Sequence, residues 1–206
     1  MGFPRIASRI AVLASLTLLA MSAAAQVIEY EADGQKYQTL TRGGLTVIIT
    51  HLPVQVAGYG LIQISVANGS DIHWTIRPED FQYVRPAETI SALTADGVVK
   101  VMLDHASTGD VVKLITSYEK SLYAIPNMRT NNGYEQRRQN ALAFGGAARL
   151  RAAAAASAIT LAQVRLAPGE STDGAVFMRL PKDPKALSGG HLVLHSEGQT
   201  FEFNPD

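Results

Sequence analysis

Apolar residues recur along this chain in two rhythms, and the switch between them divides it into three parts. In the first part, Leu45-Thr46-Val47-Ile48-Ile49-Thr50 follows a turn at Gly43-Gly44, in a stretch beginning at Gln38. Its β-branched density predicts a strand. Leu61-Ile62-Gln63-Ile64-Ser65-Val66 alternates apolar with polar in its second half and stops at Asn68-Gly69-Ser70, residues that tolerate tight turns. His73-Trp74-Thr75-Ile76 and Phe81-Gln82-Tyr83-Val84 flank Pro78-Glu79-Asp80, which predicts two more short strands around a bend.

The helical rhythm begins at Thr94. Val98, Val99, Val101, Met102 and Leu103, with Asp96 near the start, predict a short helix. A second is expected from an N-cap at Ser107 or Thr108, with Asp110 in its first turn, through Val112, Ile115, Glu119 and Leu122. Pro126, Asn127 and Asn131-Asn132-Gly133 break it. A third is expected from Tyr134 to about Ala162, interrupted by Gly145-Gly146 and containing the alanine run Ala152 to Ala156.

Strand signals then return. Pro168-Gly169-Glu170 reads as a turn, Gly174 to Leu180 as a strand, and Pro181 to Gly190 as a loop. His191 to His195 and Thr200 to Phe203 read as a closing hairpin around Gly198. Neither β-rich half has enough strands to cover a core alone. The pattern therefore predicts a mainly β sandwich, with an α-helical insertion between the early and late strands that docks on one face or end.

The first 25 residues follow neither rhythm. Arg5 and Arg9 are the only charges before Glu29, an apolar run spans Ile10 to Ala20, and Ala23-Ala24-Ala25 supplies small side chains. Residues 1–25 thus read as a cleavable signal peptide leaving Gln26 as the new terminus. An apolar run of that length is short for a membrane span, which needs about 20 residues. The expectation is export to the periplasm or the extracellular space, with no stable membrane insertion after cleavage. Removing 25 of 206 residues leaves 181, enough for a single domain at 26–206.

The full chain balances 18 basic against 18 acidic residues, and losing Arg5 and Arg9 leaves a formal charge of −2. That balance argues against nucleic acid as a partner. The absence of cysteine excludes disulfides, thiolate metal sites and cysteine nucleophiles.

Val66-Ala67-Asn68-Gly69-Ser70 followed by Ile76-Arg77-Pro78-Glu79-Asp80-Phe81 resembles the early half of immunoglobulin-like accessory domains of exported bacterial proteins. Leu166-Ala167-Pro168-Gly169-Glu170-Ser171 with Gly174-Ala175-Val176-Phe177 resembles the late half. The resemblance implies an immunoglobulin-like sandwich that binds, spaces or supports and carries no catalytic residues. The mostly helical residues from about Ser91 to Arg165 have no counterpart in a plain domain of that kind.

Candidate chemistry is sparse. His191 and His195 lie four residues apart on an expected strand, so both face one side at a separation of roughly 13 Å. A shared zinc or copper ion would need a bulge or a ligand from elsewhere, such as His51 or His73. In the helical block, Tyr118-Glu119 and Tyr134-Glu135, with Arg137-Arg138, could form a polar network that fixes how the helices dock. The chain has no Gly-x-Ser-x-Gly elbow, no His-Glu-x-x-His and no phosphate-cradling or dinucleotide glycine motif. Asn68-Gly69-Ser70 fits a glycosylation acceptor in form but reads as a turn. The sequence thus favours an exported non-enzymatic module acting through protein contacts, with no cofactor. A metal-binding or carrier protein stands second and a hydrolase third.

Overall fold

The computed structural model describes residues 26–126, 132–179 and 189–204. The expected signal peptide, the end of the strand expected to reach Leu180, and most of the Pro181 to Gly190 loop lie outside them.

Four strands lead the fold: β1 (Ile28–Ala32), β2 (Gln35–Arg42), β3 (Leu45–Val56) and β4 (Tyr59–Asn68). Two-residue turns join them at Asp33-Gly34, Gly43-Gly44 and Ala57-Gly58, with φ positive at both positions of each. Such turns match the twist of paired strands, so the four run as one antiparallel meander. Pro53 sits inside β3, where the register slips between Leu52 and Gln55; a bulge there relieves the ladder of the missing donor. That is why the strand runs past the Thr50 end its β-branched run suggested.

Next come β5 (Trp74–Ile76), a short 3-10 turn at Pro78–Asp80, β6 (Phe81–Arg85) and β7 (Glu88–Ser91). Four helices follow: α1 (Ala95–His105), α2 (Asp110–Tyr123), α3 (Tyr134–Ala143) and α4 (Ala148–Ile159). The chain closes with β8 (Val164–Leu166), β9 (Ser171–Met178), β10 (His191–Ser196) and β11 (Gln199–Phe203).

The late strands pair with early ones. β9 joins β4 to complete a five-stranded sheet ordered β1-β2-β3-β4-β9, β10 joins β6 in a four-stranded sheet ordered β11-β10-β6-β7, and β8 pairs β5. All these pairings are antiparallel. Between the sheets lies one core that mixes both halves of the chain: Val47, Ile49, Ile62 and Ile64 meet Phe81, Tyr83, Leu192, Leu194 and Phe201. Among the described residues the protein is mainly β, with four helices.

The opposite face of the five-stranded sheet is covered by the helices. Leu52, Leu61 and Phe177 from the sheet pack with Val98, Met102, Leu114, Ile115, Ala152 and Ala156. The alanines on α4 let that helix sit close against α1, α2 and α3. β4 is therefore buried on both faces, and its alternating Gln63 and Ser65 point under helices instead of into water.

Three differences from the sequence-based expectations have physical causes. α2 starts at Asp110, capped by the backbone of Gly109 rather than by a hydroxyl of Ser107 or Thr108; the Asp110 carboxylate reaches back to accept from the Ser107 N–H at 2.6 Å. The third helix is divided at Gly145-Gly146 as expected, the chain being extended at Phe144 and at Ala147, but its second part ends at Ile159 instead of about Ala162, because Thr160 is already extended. β9 begins at Ser171, three residues before Gly174, because β4 offers it partners as far back as Ala67.

The helical block is tied to β9 along its length. Before α1, the Leu93 N–H donates to the Phe177 carbonyl at 2.9 Å. After α4, the Leu161 N–H donates to the Ala175 carbonyl at 3.0 Å. Between α2 and α3, the Asn132 amide donates to the Asp173 carbonyl at 2.7 Å. These bonds occupy carbonyls that an edge strand would otherwise leave open.

Candidate functional site

α2 is amphipathic with a polar component on its inward face: Asp110, Leu114, Ile115, Tyr118 and Ser121 are all buried. Beneath it the sheet presents Gln35 and Tyr37 from β2, Thr50 from β3, Gln63 and Ser65 from β4, and Asp173 from β9, also all buried. The result is a polar seam between helix and sheet. The Tyr37 hydroxyl donates to the Ser121 carbonyl at 3.0 Å, and the Ser121 hydroxyl donates to Gln35 Oε1 at 2.6 Å. The Tyr118 hydroxyl donates to the Asp173 carboxylate.

At the outer edge of the seam the Tyr134 ring packs on Tyr118 with centroids 5.0 Å apart, and its hydroxyl donates to Glu119 Oε1 at 3.1 Å. Arg138 forms an ion pair with the same Glu119 carboxylate. Glu119 on α2 thus holds two side chains of α3, a charge-assisted link between helices.

Of the residues singled out in the sequence, Tyr118, Glu119, Tyr134 and Arg138 meet in this way. Glu135 lies apart, accepting from the Tyr123 hydroxyl at 2.8 Å. Arg137 faces backbone, donating to the carbonyls of Asn132 and of Ala158, the latter at 3.2 Å. Asp173, Asn132, Ser121 and Tyr37 were not singled out. Asp173 precedes the apolar run that marked its strand, and the other three are ordinary polar residues whose partners are distant in sequence.

Burial raises the Tyr118 phenol well above its ordinary value, and the neighbouring Asp173 charge adds to the effect. Tyr134 is raised by burial and then by Glu119. Tyr37 is pushed up to about 12 by burial. Tyr123 also reaches about 12, through burial and its bond to Glu135. All four phenols are thus held in the neutral, hydrogen-bonding form. Gln63 has no side-chain partner for either amide atom and Ser65 none for its hydroxyl among the described residues.

A hollow of about 330 Å³ opens beside the seam, lined by Asn132, Val164, Leu166, Gly169, Glu170, Ser171 and Thr172. A shallower groove of about 230 Å³ runs between α3 and α4, lined by Arg137, Asn140, Ala141, Phe144, Ala154, Ser157 and Ala158.

His191 and His195 occupy β10 on the side opposite Leu192 and Leu194, which enter the core. His191 is half-buried and His195 exposed, its Nδ1 lying 3.2 Å from the Thr200 hydroxyl of β11. Among the described residues no three histidine, aspartate or glutamate side chains gather as a metal-binding group. The Asn68 side chain is 2 % exposed: its amide donates to the Ile72 and Leu166 carbonyls and its oxygen accepts from the Ser70 N–H and hydroxyl. That is the geometry of a turn, with the amide nitrogen occupied.

Comparison with known proteins found no matching family model, no matching curated protein and no matching solved structure.

Proposed function

We propose that this chain is an exported, non-enzymatic binding module, an immunoglobulin-like sandwich with a helical insertion, that acts through protein contacts on the outer face of its helical layer. The observation that carries this reading is the distribution of exposed large apolar side chains. Of eight among the described residues, Leu103, Val112, Tyr123, Leu142, Phe144 and Leu150 lie on the helices or on the α3–α4 link, and only Ile28 and Ile72 lie elsewhere. Val112 and Tyr123, 69 % and 64 % exposed, are three turns apart and share one stripe of α2. Exposed apolar groups concentrated on one layer favour a contact surface.

Export rests on the pattern of residues 1–25. The immunoglobulin-like assignment rests on the Asn68 turn and the Pro168-Gly169 turn, together with two antiparallel sheets that face each other across one core. The bonds of Tyr37, Gln35, Ser121, Tyr118 and Asp173 across the seam support a structural role for it, because they fix the helical layer in place.

The test is photo-crosslinking in the source organism's cells, with a photoreactive residue at Val112 or Tyr123, or at Thr89 or Glu202 on the outer face of the four-stranded sheet. The reading expects one discrete protein adduct from the α2 positions, the adduct from Tyr123 being lost on Val112→Asp, and none from the sheet positions. Adducts from the sheet face alone would overturn it.

A further inference from the structure

We propose that the tip of the α3–α4 hairpin adsorbs to an anionic bilayer surface. From Ala141 to Ala148 the chain reads Ala-Leu-Ala-Phe-Gly-Gly-Ala-Ala, eight residues without a polar side chain, and residues 142–147 are all exposed. Leu142, Phe144 and Leu150 are 49 %, 48 % and 45 % exposed. A protein partner for such a loop would find no side-chain hydrogen bonds to match. A bilayer interface needs none, because it takes apolar side chains and balances cations against its headgroups.

The charges point the same way. No aspartate or glutamate occurs between Glu135 and Glu170, a stretch holding five arginines. Arg138 is paired with Glu119 and Arg137 is bonded to carbonyls. Arg149 and Arg151 remain at the tip, exposed, with no ion pair among the described residues. They occupy the start of α4, the end of a helix where its dipole disfavours cations. Their placement does nothing for the helix and suits a negatively charged surface. A second copy of this chain would bring the same unpaired arginines together, which opposes self-association through the tip.

No helix among the described residues is long and apolar enough to cross a membrane, so the contact is adsorption at the interface. The bulk needed there comes from Leu142, Phe144 and Leu150, not from the alanines of α4, which face inward. Assigning Leu142, Phe144 and Leu150 to a bilayer leaves the protein-contact reading on Leu103, Val112 and Tyr123, and the two experiments probe different residues, so either reading can fail without the other.

The test uses residues 26–206, which contain both cores, in sedimentation with vesicles of phosphatidylcholine alone or mixed with phosphatidylglycerol. The protein should sediment with the mixed vesicles, less so as salt rises, and not with the neutral ones. Arg149→Gln with Arg151→Gln should weaken partitioning about 30-fold. Leu142→Ser, Phe144→Ser and Leu150→Ser together should weaken it about a hundredfold. Both variants change exposed groups and should keep the wild-type circular dichroism. Phe144→Trp should shift its emission to the blue on mixed vesicles, above the constant signal of buried Trp74. No sedimentation at low salt, or sedimentation indifferent to both sets of substitutions, would overturn the proposal. A protein adduct from a photoreactive residue at Phe144, with no vesicle binding, would assign the tip to an acidic protein partner instead.

Discussion

The Tyr118 hydroxyl on α2 donates to the Asp173 carboxylate on β9, joining side chains 55 positions apart at the centre of the polar seam. Both are buried, at 1 % and 2 % exposure, and the bond spans the two layers that any contact through the helices would load. Tyr118→Phe deprives a buried carboxylate of a donor, and Asp173→Asn removes the charge that the phenol meets. Each should lower stability by roughly 1–3 kcal/mol. Urea denaturation should show lower midpoints with unchanged slopes, and the double variant should lose less than the sum of the singles. Strict additivity would mean that the two groups are not coupled.

The raised phenols make stability fall on the alkaline side. Tyr37 and Tyr123 have folded values pushed up to about 12 against an ordinary 10, and Tyr118 and Tyr134 are raised as well. Between those values the unfolded chain has lost protons that the native chain keeps. The contribution of Tyr37 and Tyr123 is therefore complete below pH 10 and declines as pH rises through about 12, and that of Tyr118 and Tyr134 has the same sign. His51 acts in the other direction: burial lowers its folded value below the ordinary 6.5, so its contribution is complete above that pH and declines as pH falls. Urea midpoints across pH, with tyrosinate absorbance followed in parallel, should show most of the phenols ionising together with unfolding. His51→Gln should flatten the acid limb.

Gly174 is where the chain leaving α4 crosses β9. A Cβ there would lie 2.4 Å from the Leu161 Cα and 2.6 Å from its nitrogen, backbone atoms that no rotamer change can move. Gly174→Ala should cost at least the roughly 3 kcal/mol at the upper end of overpacking penalties. Gly145→Ala meets nothing within 4 Å and should leave the melting temperature unchanged or slightly raised. Thermal melts of the two variants make the comparison.

His191 and His195 provide a separate test of the metal-binding alternative. They share one face of an extended strand, and no third acidic or histidine ligand joins them among the described residues. Calorimetric titration with zinc or copper should detect no binding that disappears in His191→Ala with His195→Ala. Stoichiometric binding lost in that variant would establish the carrier reading.

The three-part rhythm of the chain was legible because each part obeys local rules. The Gly43-Gly44 turn, the Asn68 stop, the hairpin around Gly198 and the helix beginning after Thr94 all follow from backbone chemistry within a few residues, and the Thr94 hydroxyl caps α1 by accepting from the Gly97 N–H. Non-local packing was less legible. Gln63 and Ser65 give β4 its polar-apolar alternation, and nothing local places helices over them, because only the tertiary fold brings α2 over β4. The β1 strand went unread because its Glu29 and Glu31 dilute the apolar signal; pairing with β2 supplies what propensity lacks.

The candidate site divides in the same way. Tyr118, Glu119, Tyr134 and Arg138 stood out as repeated tyrosine-glutamate pairs beside arginines, a pattern within one stretch of sequence. Asp173 and Asn132 did not, since an acid at a strand's start and an asparagine in a turn have ordinary local explanations. Their role arises only because β9 is the strand to which the helical block is tied. Alanine richness likewise drew attention away from Leu142, Phe144 and Leu150, whose exposure depends on where the helix breaks.

The central claim is that the helical layer is locked to the five-stranded sheet and presents its outer face as a fixed surface. Native-state hydrogen exchange of residues 26–206 tests it most directly. Amides of α2 and α4 should share the slowest exchange with those of β4, β9 and β10, and Tyr118→Phe should speed them together. Helices that exchange freely while both sheets stay protected would contradict the account.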